Sequence, residues 1–159
     1  MAAGATYTSL ATTTTSSSAS TVSLNSFSGY TDLVLTMNFS LSTNAEVYIR
    51  FNGDTNANYA RVYMEGNGTS ASSAQSNDAT QINILGRSSQ MVNIVNLMNY
   101  SNTSTFKNVV ARFSSPSEIV GGEVGVWRST SAITSITISL SSGNFTDGSV
   151  ISLYGITQA

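Results

Sequence analysis

Apolar residues recur at every second position along much of this chain, the pattern of strands with one buried face. Leu33, Leu35, Met37 and Phe39 form one such face, opposed by Val34, Thr36 and Asn38. Val47, Ile49 and Phe51 repeat it against Tyr48 and Arg50, and Tyr59, Arg61 and Tyr63 alternate with Ala60, Val62 and Met64. The Asn52-Gly53-Asp54 run between them has hairpin turn chemistry and predicts a hairpin across 46–65. Weaker alternation over Thr21–Leu24, and the segments Gln81–Leu85 and Phe106–Phe113, add further strands. In Met91–Tyr100 apolar residues fall on both parities, while Asn93, Asn96 and Asn99 argue against a helix interior. That segment reads as a strand buried on both faces or interrupted by a bulge.

The closing stretch, 122–156, carries the clearest signal. Val124, Val126 and Arg128 lie on one face, with Glu123, Gly125 and Trp127, the only tryptophan, on the other. Ile136, Ile138 and Leu140 alternate with Thr137 and Ser139, and Ile151 and Leu153 oppose Val150, Ser152 and Tyr154. Turn signals at Ser141–Asn144 and Asp147-Gly148 separate these strands. The expectation is an all-β fold of about eight strands at sandwich-like spacing, a jelly-roll-like two-sheet sandwich over residues 21–159. An immunoglobulin-like sandwich is the alternative. Residues 1–20, with a Thr/Ser tract from Thr12 to Ser18, predict a flexible or extended N-terminal arm. If extended, the arm would lie along a neighbouring subunit, anchored by Tyr7 and Leu10. Gly66–Thr80 predicts a polar loop long enough to be functional or packed on a partner.

Composition changes this picture in one respect. Of the 159 residues only 9% are charged, against roughly 25% in an ordinary soluble domain. Ser, Thr and Asn supply about two residues in five instead. A surface poor in lysine loses little side-chain entropy when it is covered, which favours self-association or permanent assembly. The net charge is −2 and the six cations are scattered singly, so no footprint for nucleic acid exists. No apolar run has membrane-spanning length. Cysteine and histidine are both absent, which excludes Ser-His-Asp and Cys-His nucleophile systems and zinc sites of the His/Cys type.

The remaining candidate chemistry is sparse. Glycoside hydrolysis needs two carboxylates across a cleft, but Asp32, Glu46, Asp54, Glu65, Asp78, Glu118, Glu123 and Asp147 fall mostly at turns and strand ends. Asn52, Asp54 and Asn56 have the alternate spacing of calcium ligands but lack the rest of such a loop, so a turn is the better reading. Tyr48, Tyr59, Tyr63, Tyr100 and Trp127 offer a platform for a sugar ring, or core and interface material. Arg50, Arg61, Arg112 and Arg128 lie on predicted strands, either as surface ion pairs or as inter-subunit contacts, for which arginine is enriched.

The segments YIRFNGDTNANYARVYMEGNG (Tyr48–Gly68) and GVWRSTSAITSITISLSSGNFTDGSVISLYGI (Gly125–Ile156) resemble small virion structural proteins of tailed bacteriophages, cyanophages especially. SGYTDLVLTMN (Ser28–Asn38) is similar as well. The resemblance implies a non-enzymatic virion component without cofactor or metal, most specifically a capsid cement or decoration protein. It further implies the major capsid protein as partner, a homo-oligomer such as a trimer at threefold sites, and no nucleic-acid or membrane partner. The candidate contacts are Tyr7, Leu10, Arg50, Arg61, Arg112, Trp127 and Arg128. The alternative is a carbohydrate-binding module of a tail fibre or spike.

Overall fold

The alternating segments close on one another as two antiparallel sheets packed face to face. The computed structural model describes residues 6–16, 18–116 and 119–157; residues 1–5, Ser17, Ser117 and Glu118 of the expectations above lie outside them. Among the described residues the chain forms twelve strands and no helix. They are β1 (Tyr7–Thr14), β2 (Thr21–Asn25), β3 (Asp32–Phe39), β4 (Ala45–Phe51), β5 (Tyr59–Gly66) and β6 (Ala71–Ala79). β7 (Ile82–Gly86), β8 (Met91–Met98), β9 (Lys107–Ser114), β10 (Val120–Trp127), β11 (Ser135–Leu140) and β12 (Val150–Ile156) complete the set.

The larger sheet has the order β1-β12-β3-β8-β9-β10-β5-β6 and the smaller one β2-β11-β4-β7. From β2 to β5 the chain crosses between sheets at every connection, and it crosses again at β7, β8, β11 and β12. This jelly-roll-like winding buries one face of each sheet against the other. The β8–β9–β10 meander stays in the larger sheet and widens it well beyond its partner. The core lies between the layers: Leu33, Leu35, Met37, Val95, Leu97, Val109, Ile151 and Leu153 meet Val47, Ile49, Phe51, Ile82, Ile84, Ile136 and Ile138.

Twelve strands replace the expected eight or so, chiefly because two polar segments pair. Tyr7–Thr14, within the expected arm, is an extended strand running along β12 of its own chain, with a register shift between Ser9 and Ala11. Ala71–Ala79, within the expected loop, pairs with β5, so the loop shrinks to a turn in which Asn67 Oδ1 accepts from the backbone of Thr69 and Ser70.

The expected 46–65 hairpin is not one. The turn has its expected geometry, with positive φ at Asn52 and Gly53 and Asp54 N–H bonded to Phe51 C=O at 2.9 Å. Yet β4 pairs with β11 and β7, whereas β5 pairs with β10 and β6. The turn therefore carries the chain from one layer to the other. Tyr59 fastens this corner: its hydroxyl accepts from Phe51 N–H and donates to Asp54 C=O.

β8 is neither bulged nor buried on both faces. It keeps continuous register with β3 and β9, burying Met91, Asn93, Val95 and Leu97 while Val92 and Met98 stand exposed.

Candidate functional site

A strand exposes every second side chain, so the outward face of the larger sheet can be read from its register. One row crosses all eight strands as Ser9, Tyr154, Val34, Asn96, Val110, Val124, Val62 and Gln75. The next reads Thr12, Ser152, Thr36, Ile94, Arg112, Gly122, Met64 and Ser73. The face thus divides in two. Its β1–β12–β3 half is rich in hydroxyls, and Thr12 and Ser152 hydrogen-bond to each other at 3.0 Å.

The half built on β8, β9, β10 and β5 is mainly apolar, interrupted by Asn96, Asn108, Arg112 and Ser114. Met64 is 66% exposed and Val120 60%, and Val62, Val92, Met98 and Val124 are exposed beside them. Arg112 is the one charged side chain among these outward strand positions. It is exposed and, among the described residues, has no hydrogen-bond or ion-pair partner. Next to it Gly66 and Gly122 line a shallow depression of about 580 Å³ with Met64 and Val120.

The outward face of the smaller sheet is the reverse case. It presents Thr21, Ser23 and Asn25 from β2, Thr137 and Ser139 from β11, and Tyr48 and Arg50 from β4. Such a face is at home in water. A single exposed valine needs no explanation, but a contiguous band of valine and methionine on one sheet face marks a surface that something covers.

A second feature lies where the larger sheet overhangs β7, the edge of the smaller one. There a cavity of about 90 Å³ is lined by Glu46, Arg61, Tyr63, Glu65, Asn83 and Glu123, with Ile84, Leu85 and Phe113. Glu123 is only 2% exposed; one carboxylate oxygen pairs with Arg61 at 3.1 Å and the other accepts the backbone N–H of Asn83 at 3.1 Å. It thereby caps an edge-strand donor, a means of protecting a sheet edge. Burial pushes the Glu123 carboxyl up to about 7, against the opposing pull of Arg61 and the Asn83 N–H; Glu46 adds to the rise. The Asn83 side-chain amide donates to Glu46 at 2.8 Å.

The predicted contact residues scatter. Tyr7, 58% exposed, is on the outward face of the larger sheet together with Arg112, whereas Leu10 packs against the core. Arg61 is in the cavity. Arg50 is on the smaller sheet, bonded to Thr80 C=O and Gln81 and lying over the Tyr48 ring. Arg128 binds Asp78 and Ala57 C=O at the end of β10. Trp127 is a correction: it is 2% exposed, packed among Phe51 and Tyr59, and no contact residue. Its side chain points inward because β10 alternates in phase with the core. The aromatic platform is likewise not assembled, since Tyr59 and Tyr100 are core residues.

Comparison of the chain with family models, curated proteins and solved structures yields no match. The two surfaces of the fold therefore carry the functional reading.

Asp54 is a corner residue whose carboxylate accepts from Asn56, Asn58 and Trp127. Among the described residues no group of three or more Asp or Glu side chains is placed to hold a metal ion. The apolar outward band was not singled out in the sequence. Its signal is there: Val62 and Met64 in β5, Val92, Ile94 and Met98 in β8, and Val124 and Val126 in β10 are apolar on the parity opposite the core. Strands that read as apolar on both parities are strands to be covered on both faces.

Proposed function

We propose that this chain is a non-enzymatic structural subunit of a bacteriophage virion, specifically a capsid cement or decoration protein bridging subunits of the major capsid protein. The observation that carries the reading is the outward band of the larger sheet, where Val62, Met64, Val92, Val120 and Val124 stand exposed around Arg112, which has no partner among the described residues. Covering each such side chain contributes about 1–3 kcal/mol, so a partner surface spread over four strands gains a stable seat. Low charge and low side-chain entropy reduce the cost of permanent assembly.

The likeness of Tyr48–Gly68 and Gly125–Ile156 to phage virion proteins supports the particle as the setting. A trimeric arrangement places several such bands on the shell at once, and the second and third contacts then form at high effective concentration. Arg112 fits a carboxylate of the shell protein, because a guanidinium buried without one is costly.

The test is decoration. Heads lacking this chain are mixed with wild-type protein or with Val124→Glu or Met64→Glu protein, then sedimented. Wild type co-sediments, and the variants, unchanged in melting temperature, stay in the supernatant. Equal co-sedimentation of all three proteins contradicts the proposal.

A further inference from the structure

The two sheets have four edge strands, and three of them are guarded. β1 carries a register shift in its middle, where Leu10 packs against the core. β2 is short, and the Asn83 N–H of β7 is capped by Glu123. Irregular register, a short strand and a capped donor each keep an edge from pairing with another chain. β6 has no such device over Ala71–Ser76. Its register with β5 is continuous there and shifts only beyond Ser76. Among the described residues β5 is its only neighbouring strand, so alternate backbone N–H and C=O groups of β6 face outward. The segment contains no proline, lysine or arginine, and Ala71, Ser72, Ser73, Ala74 and Gln75 are all exposed. An edge of this kind is a template for one more strand.

The strand that fits is β6 itself. Across a two-fold axis perpendicular to a sheet, antiparallel strands oppose positions of equal parity, because opposed side chains share a face. With the axis at Ala74, Ser72 meets Ser76, Ser73 meets Gln75, and the two Ala74 methyls meet each other. Ser72 Oγ already donates to Glu65 at 3.2 Å, which leaves its lone pairs to accept the Ser76 hydroxyl. Ser73 and Gln75 are likewise a donor–acceptor match across strands. No charge stands between Ala71 and Asn77, so no like charges oppose one another. The next residue, Asp78, is paired with Arg128 at 3.2 Å. A strongly charged partner finds no counter-charge along this edge, whereas a second copy matches every opposed position.

We infer that β6 pairs antiparallel with β6 of a second copy of this chain, about a two-fold axis at Ala74, so that the larger sheet continues from one subunit into the next. Both outward bands then face the same side. A two-fold contact does not close a trimer; in the threefold arrangement proposed above it joins one cluster to its neighbour. The pairing uses neither the apolar band nor a shell protein, so its failure and the failure of the decoration reading are distinguishable.

The test is sedimentation equilibrium of the whole protein. Wild type is expected to form a dimer with a Kd of about 10–100 μM. Ala74→Glu and Ala74→Lys each set two like charges face to face and should weaken the dimer about fivefold or more at unchanged melting temperature. An equimolar mixture of the two should restore association, which a folding defect at this position would not allow. The chain has no cysteine, so Ala74→Cys reports the register: opposed Cα atoms about 4.5–5.5 Å apart are within disulfide reach. Mild oxidation should cross-link Ala74→Cys protein and not Ala71→Cys protein, whose substituted position faces Asn77. Val124→Glu should leave the dimer intact. The inference would be overturned by wild type that stays monomeric at about 500 μM, or by oligomers that grow past the dimer. Dimers broken by Val124→Glu but not by the Ala74 variants, or equal cross-linking of both cysteine variants, would also overturn it.

Discussion

The indole nitrogen of Trp127 donates to Asp54 Oδ2 at 2.8 Å, tying the last residue of β10 to the turn between β4 and β5. Around that bond the corner is fully engaged. Asn58 donates to the same oxygen, Asn56 to the other, and Trp127 packs against Tyr59 and Phe51. Asn52, one side of the turn, bonds across to Ala132 C=O and to the backbone N–H groups of Thr134 and Ser135. This is where the two layers are joined at one end.

Asp54→Ala leaves the buried indole N–H without an acceptor and frees the Asn56–Asn58 segment. A loss of about 2–4 kcal/mol of stability is expected, read by denaturant unfolding with the single tryptophan as the probe. A loss below about 0.5 kcal/mol, the size of an ordinary surface change, would show that the bond does not hold the corner. Burial tends to raise the Asp54 pKa, but the hydrogen bonds from Trp127, Asn58 and Asn56 outweigh it and hold the carboxyl below its ordinary value of 3.8. Its contribution is therefore present above pH 3.8 and lost as pH falls through the lower, folded-state value.

Glu123 has the opposite sign. Its carboxyl titrates near 7 in the fold against 4.5 unfolded, so the folded state holds the proton more tightly. That stabilisation is complete below pH 4.5 and is lost as pH rises through about 7. Wild-type protein should be less stable at pH 8 than at pH 5 by up to about 3 kcal/mol, an upper bound because Arg61 stays partly solvated. Glu123→Gln should flatten the profile across this window. An unchanged slope in the variant would assign the pH dependence to another group.

Asn93 sits fully buried on the inward face of β8, and neither amide atom has a partner among the described residues. Replacement by valine removes two unmet polar groups at a small cost in volume. The variant should gain about 1–2 kcal/mol, measured as a higher denaturation midpoint at unchanged m-value. A destabilisation of more than about 1 kcal/mol would show that the amide is satisfied and structural.

Lys107 is 1% exposed, and its ammonium donates to Thr105 C=O at 2.8 Å and Thr130 C=O at 3.2 Å. Burial holds its pKa below the ordinary lysine value. Lys107→Met keeps the stem packing but strands two carbonyls, so a loss of about 1–3 kcal/mol is expected in thermal unfolding at pH 7. No measurable loss would mean that both carbonyls reach water.

Most strands were legible because alternation reports a half-buried face, and β3, β4, β11 and β12 stand where the pattern puts them. β6 was not, because Ala-Ser-Ser-Ala-Gln-Ser-Asn-Asp-Ala has no alternation and almost no burial. Its place is set by the backbone edge of β5, which no side-chain pattern encodes. The same holds for β1, where threonines favour extension but the choice of β12 as partner is a tertiary matter. At Asn52-Gly53 the turn type was readable and the topology was not, since turn residues fix local φ and say nothing about which sheet the next strand joins. The outward band was legible in principle from double-parity strands. The cavity was not, because Glu46, Arg61, Asn83 and Glu123 meet only through the overhang of one sheet past the edge of the other.

The central claim is that the outward band of the larger sheet seats this chain on a virion shell. Cryo-electron microscopy of the intact particle tests it most directly. The expected result is density for this chain on the capsid, with Val62, Met64, Val120 and Val124 buried against the shell protein and a carboxylate facing Arg112. A particle without the chain, or one in which this band faces solvent, would contradict the account.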